Sequence, residues 1–158
     1  MRGIQEKIKQ AKIKKEKLLK DPDTLQKINT LLNKLCNFIL EAEKERVSTG
    51  MANICANCAV ENKSCCGSEI ELKYSPELLT INLLYERNLP EKAEVPGMCY
   101  FLTEQGCSLF ARDVFCINFI CDKIKISLPP NKIKKLRELE GLQLNLQFTI
   151  EEILKKIQ

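Results

Sequence analysis

The chain has no histidine and no tryptophan. Without an imidazole, Cys-His and Ser-His-Asp catalysis, mixed Cys/His zinc fingers and the two-His-one-carboxylate iron site are excluded. The glycines Gly3, Gly50, Gly67, Gly97, Gly106 and Gly141 stand alone, so neither a P-loop nor a dinucleotide-binding fingerprint can be built. No apolar run approaches the ~20 residues that span a bilayer. The first residues are amphipathic and lack the apolar centre of a secretory leader. The expectation is a cytoplasmic protein with no membrane span.

Cysteine, by contrast, is abundant. Eight of the nine cysteines lie between Cys55 and Cys121, in two clusters. The first is Cys55, Cys58, Cys65 and Cys66; the second is Cys99, Cys107, Cys116 and Cys121. In a reducing compartment such a density points to metal binding rather than disulfides, and an odd total does not close a disulfide framework. Cys36 falls beside a helical apolar stripe and reads as a small buried hydrophobe, outside the metal site.

Charge is unevenly spread. Residues 1–20 carry eight basic and two acidic side chains, whereas residues 21–120 carry nine basic and fourteen acidic. The thiol-rich region is thus the acidic part of the chain, and the basic ends offset it. Lysines dominate residues 3–19 around a face of Ile4, Ile8, Ala11 and Leu18, which predicts a helix. No aromatic interleaves those lysines as a stacking platform for nucleic acid would require, so nucleic acid is not the expected partner. Asp21-Pro22-Asp23 caps a second helix, to about Arg46. Its stripe is Leu25, Ile28, Leu32, Leu35 and Ile39. Two such helices with a short joint predict a hairpin over residues 1–50 that packs on the core or on a protein partner.

Residues 51–128 form the expected eight-cysteine core. The first cluster shows little periodicity and reads as an irregular loop through Asn62 and Lys63. Residues 69–73 alternate and read as a short strand. Ser75-Pro76 opens a broadly apolar helix to about Arg87. Residues 98–102 read as extended, with a turn at 103–106 leading into Cys107 and one or two helical turns over 111–121. Residues 129–158 are expected to form a helical tail on the core. They read as a helix stopped by Gly141, a strand through Leu142, Leu144, Leu146 and Phe148, and a last helix behind a capping box at Thr149. One continuous helix over 131–158 competes with that division. The fold class expected is mainly α with a small β element, a small α+β domain around an irregular metal-stapled cysteine core.

Residues 55–121 resemble the YkgJ-like cysteine-cluster family, described as a zinc- or iron-chelating domain with eight cysteines. The likeness rests on the Cys55/Cys58 pair, the Cys65-Cys66 pair, Phe101-Leu102, Gly106-Cys107-Ser108-Leu109-Phe110, Arg112, Cys116, Phe119 and Cys121. Asp113, Ile117 and Ile120 stand where the family pattern has proline, arginine and often proline. None of these is a thiol. The resemblance implies metal binding by all eight cysteines. It also implies kinship with flagellin lysine methylases, which admits an accessory relative of a methyl-transferring enzyme, although no methyl-donor motif is present.

Four thiolates hold zinc tetrahedrally or hold an iron–sulfur cluster. Eight can make two such sites, or one with spare thiols. Only Cys55 and Cys58 form a short zinc-type knuckle, and the wider gaps elsewhere favour an iron–sulfur cluster, 4Fe–4S before others, over zinc. Cys65 and Cys66 are adjacent, so their side chains diverge and are expected to serve different sites or irons. The expected function is a metal protein for electron transfer, sensing or metal handling, with a zinc-stapled interaction module as the alternative. No catalytic residue is assigned: Glu69, Glu71 and Asp113 read equally well as surface charge, and enzymatic activity of the chain on its own has little support.

Overall fold

The computed structural model describes residues 2–60 and 65–158. Among the described residues are α1 (Arg2–Leu19), α2 (Pro22–Ser48), α3 (Met51–Val60), α4 (Pro76–Leu84), α5 (Val114–Asn118), α6 (Asp122–Ser127) and α7 (Lys134–Lys155). Strands β1 (Leu102–Thr103) and β2 (Gly106–Cys107) form an antiparallel pair. The fold is therefore mainly helical with a small β element, the class expected.

The apolar face of α1 is buried at Ile4, Ile8, Ala11 and Leu18 and packs chiefly on α4. Lys14 of this helix donates to the carbonyls of Leu154 and Ile157 at 2.9 and 2.7 Å. A lysine of the first helix thus satisfies and charges the C-terminal end of the last. At the start of α2, Asp21 Oδ1 accepts from the Thr24 amide at 3.2 Å and Pro22 occupies the first turn. The stripe Ile28, Leu32, Leu35 and Ile39 is buried and extends to Ala42. It faces α7, so each N-terminal helix finds its main partner beyond the other. Cys36 is half-buried next to this stripe.

Three local expectations are overturned. The stretch around Glu69 is a 3-10 turn, Ile70–Lys73, entered through Glu69 in the left-handed region at φ 73°. Its alternation had no neighbouring strand to pair with. The first cysteine cluster begins as a helix, α3, because Met51, Ile54 and Cys58 repeat at helical spacing and face inward, Ile54 and Met51 against a small apolar cluster. Of the rest of that expected loop, residues 61–64 lie outside the described residues, and Cys65-Cys66 is irregular as expected. The C-terminal strand is absent: α7 runs continuously through Gly141. Leu142 and Phe148 are 47% and 64% exposed, while Gln143 and Gln147 turn inward. Gln143 Nε2 donates to Gln147 Oε1 at 2.9 Å, and Gln147 Nε2 donates to the Arg112 carbonyl at 2.9 Å, so the two buried amides are partnered.

Two apolar clusters result. The larger gathers α1, α2, α4, the β hairpin and the C-terminal half of α7 around Tyr74, Leu78, Ile81 and Phe101. The smaller joins Ala42, Met51, Ile124, Leu128, Ile133, Leu136 and Leu139 where α2, α3, α6 and α7 meet. In the hairpin, Leu102 pairs with Cys107 and Thr103 with Gly106. Gly106 has φ +104°, a backbone that favours glycine at the tight turn presenting Cys107. No helix of the described residues is long and apolar enough to cross a membrane.

Candidate metal centre

The eight cysteines of residues 55–121 fall into two neighbourhoods, and neither matches a sequence cluster. The first holds Cys55, Cys58, Cys65 and Cys121. Cys55 and Cys58 lie three apart on α3 and so share a face. Helix α3 packs on α6, and Cys121 is the residue that opens α6. Burial pushes the Cys55 thiol up from its ordinary value; Cys121 and Cys58 add to the rise, and Arg112 and Arg46 oppose it. For Cys65, burial acts first, then Cys121 through charge and a hydrogen bond, then Cys55 and Cys58. Each of these two thiols therefore senses the others of its own set.

The second neighbourhood holds Cys66, Cys99, Cys107 and Cys116, against the larger apolar cluster. The Cys99 amide donates to the Cys66 carbonyl at 2.9 Å, and Gly67 bridges to Met98 in the antiparallel sense. Burial pushes the Cys99 thiol up to about 12; the Phe101 amide opposes this, while Glu71, Cys107 and Cys66 reinforce it. Burial also raises Cys107, against the Leu109 amide and Arg112, with Cys66 adding to the rise. Cys116 is raised by burial and lowered by the Tyr74 hydroxyl, with Asp113 and Cys107 raising it and Arg112 lowering it. Cys99 is buried, and Cys66 and Cys116 are half-buried.

The consecutive residues Cys65 and Cys66 thus serve different sets. Cys116 and Cys121 do as well, because the chain between them breaks: α5 ends at Asn118 and α6 starts at Asp122. Residues 112–118 are held from α7. Arg137 donates to the carbonyls of Ile117 and Asn118 at 3.3 and 3.1 Å. Its guanidinium is fixed by Glu140 at 2.8 Å, and Glu140 is also held by Arg46 at 3.0 Å.

Arg112 stands between the sets, acting on Cys55 of one and on Cys107 and Cys116 of the other. Its backbone neighbourhood is pinned by Asn82, which is buried on α4. Asn82 Oδ1 accepts from the amides of Phe110 and Ala111 at 2.8 and 3.0 Å, and its Nδ2 donates to the Ala111 carbonyl at 2.8 Å.

Among the described residues, which include all nine cysteines, no disulfide is formed. Among the described residues, no three Cys, Asp or Glu side chains converge closely enough to hold a metal ion as they stand. The donor chemistry nevertheless suits a soft metal, since each neighbourhood offers four thiols and a nearby arginine against thiolate charge. The residues that sequence reasoning passed over are Tyr74, Asn82, Gln147, Arg137 and Glu140. Tyr74 carried a weak signal, a large phenol just before the Ser75-Pro76 helix start. The others looked like ordinary helix surface. Comparison of the chain with protein-family models, curated proteins and solved structures finds no match.

Proposed function

We propose that the protein is a cytoplasmic cysteine-cluster metal protein that holds iron–sulfur clusters, of the four-iron type, for electron transfer, sensing or metal handling. One observation carries this reading: eight thiols from both sequence clusters divide into two sets of four, Cys55/Cys58/Cys65/Cys121 and Cys66/Cys99/Cys107/Cys116. Four thiolates are the donor set of a four-iron cluster or of a closed zinc site. When bound, such a cluster exchanges one electron at a potential set by charge, by hydrogen bonds to sulfur and by exposure. The resemblance of residues 55–121 to the YkgJ-like pattern supports the same ligands.

A second reading, a zinc-stapled interaction module, is favoured by the apolar surface beside Cys116. Val114, Phe115 and Phe119 are exposed there, the two rings stacking at 5.9 Å. That surface, with the lysine-rich outer face of α1, is what such a module would offer a protein partner.

Purification without air, followed by metal and acid-labile sulfide analysis, separates the readings. Iron and sulfide in equal amounts with a brown colour are expected. Two equivalents of zinc without sulfide would establish the staple instead. A well-folded, metal-free protein from metal-replete cells would sink both.

A further inference from the structure

We infer that Tyr74 is a positioning residue for the second thiol set: its hydroxyl donates to the Cys116 sulfur and holds that sulfur in a single orientation as a ligand. This role rests on the metal reading above. The Tyr74 side chain is 1% exposed, its ring set edge-on to Phe101 at 5.2 Å between centroids. A phenylalanine would fill the same space, so packing does not account for the hydroxyl. A buried hydroxyl must find partners, because leaving it without them costs about 1–3 kcal/mol. Its partners here are few and directional. The Tyr74 oxygen lies 3.7 Å from Cys116 Sγ, within reach of a hydrogen bond to sulfur. The O–H is therefore directed at the sulfur.

Donor and acceptor each stand on a capped helix. Asp113 caps α5, the helix that carries Cys116, its Oδ1 accepting from the Phe115 amide at 2.9 Å. On the other side, Tyr74 leads directly into α4 through the Ser75 cap, where Ser75 Oγ accepts from the Leu78 amide at 3.0 Å. The contact from the Tyr74 O–H to Cys116 is therefore anchored on two helices. A donor to a ligating sulfur holds that sulfur in one orientation and stabilises its thiolate. Outer-shell partners of this kind change metal affinity by 10–100-fold when removed. Among the described residues no tyrosine acts on Cys55 or Cys65 of the first set, and Tyr85 donates to the Leu32 carbonyl instead.

The test uses the full chain and cobalt(II), whose thiolate absorption reports each set. The wild type is expected to bind two equivalents. Tyr74→Phe should weaken one of them about ten-fold and leave the other unchanged. The weakened equivalent should be the one that survives Cys55→Ser. Site-specific 3-fluorotyrosine at position 74, which keeps the ring and makes the O–H a stronger donor, should tighten that same equivalent. It also decides the matter if Tyr74→Phe fails to fold. Unchanged affinity at both sets, or equal loss at both, would overturn the role of Tyr74 while leaving the metal reading standing. A wild type that binds no cobalt would overturn the metal reading, and this role with it.

Discussion

The Cys99 amide donates to the Cys66 carbonyl at 2.9 Å, although α4 and a long loop separate the two in sequence. That bond, with the Gly67–Met98 bridge beside it, turns Cys66 toward the β hairpin. Cys65 is left facing Cys121 and α3. The pair therefore works as a divider between two sets. Cys65→Ser and Cys66→Ser should each abolish about half of the bound metal, and the double variant should abolish all of it. Metal content per chain after gel filtration reads this directly. If either single substitution emptied both sets, the division would be wrong.

Asn82 is the next point of leverage, because one buried side chain satisfies two amides and one carbonyl of the segment leading to Arg112. Asn82→Ala leaves those groups without partners in the core. Each unmet buried group costs about 1–3 kcal/mol, so a loss of about 3 kcal/mol is expected in denaturant unfolding. Asn82→Asp, which keeps the acceptor for the two amides, should lose less. Equal losses would mean that the amide donation to Ala111 carries the effect.

Much of this architecture is legible in the residue order, and the failures have physical reasons. Stripes fix the α1 and α2 faces, Asp21 and Ser75 fix two helix starts, and Gly106 fixes the hairpin turn. Residues 142–148 mislead because alternation and helical spacing coincide there. Tertiary demand decides for helix, with Gln147 reaching in to the Arg112 carbonyl. The 69–73 stretch misleads because a strand needs a neighbour that a sequence cannot supply. For the thiols, adjacency alone says that Cys65 and Cys66 diverge. Which distant partner each one meets is set by the packing of α3 on α6 and by the Cys66–Cys99 tie, and neither leaves a local signal.

Glu140 offers a test of the frame behind the thiols. Its side chain is 3% exposed and holds two arginines, Arg46 at 3.0 Å and Arg137 at 2.8 Å. Removing one partner of a buried charge group costs roughly 3–5 kcal/mol, since the remaining charge stays desolvated. Glu140→Ala should lose about that much. It should also loosen the Arg137 hold on the Ile117 and Asn118 carbonyls, between Cys116 and Cys121. Hydrogen exchange should then speed up over residues 114–121 more than over α1. A uniform change across the chain would argue against a specific link.

The last prediction concerns pH and lies away from the thiols. Glu151 on α7 is half-buried and accepts from Ser75 Oγ at 2.7 Å. Burial pushes its carboxyl above the ordinary value; Ser75 and Lys155 oppose this, while Glu77 and Asp113 reinforce it. The folded state therefore favours the protonated acid more than the unfolded chain does. Its stabilising effect is full below the unfolded carboxylate pKa and is lost as pH rises through the raised folded value. Near neutrality the carboxylate is consequently a burden on the fold. Glutamine has nearly the same shape, cannot ionise, and still presents an oxygen to Ser75. Glu151→Gln should therefore melt higher than the wild type at pH 7. The two should converge as pH falls below the ordinary carboxylate range, where Glu151 is protonated as well. Melting curves of both proteins from pH 3.5 to 8 check this. A glutamine variant that is less stable at pH 7, or a gap that persists in acid, would show that Ser75 and Lys155 outweigh burial at this carboxylate.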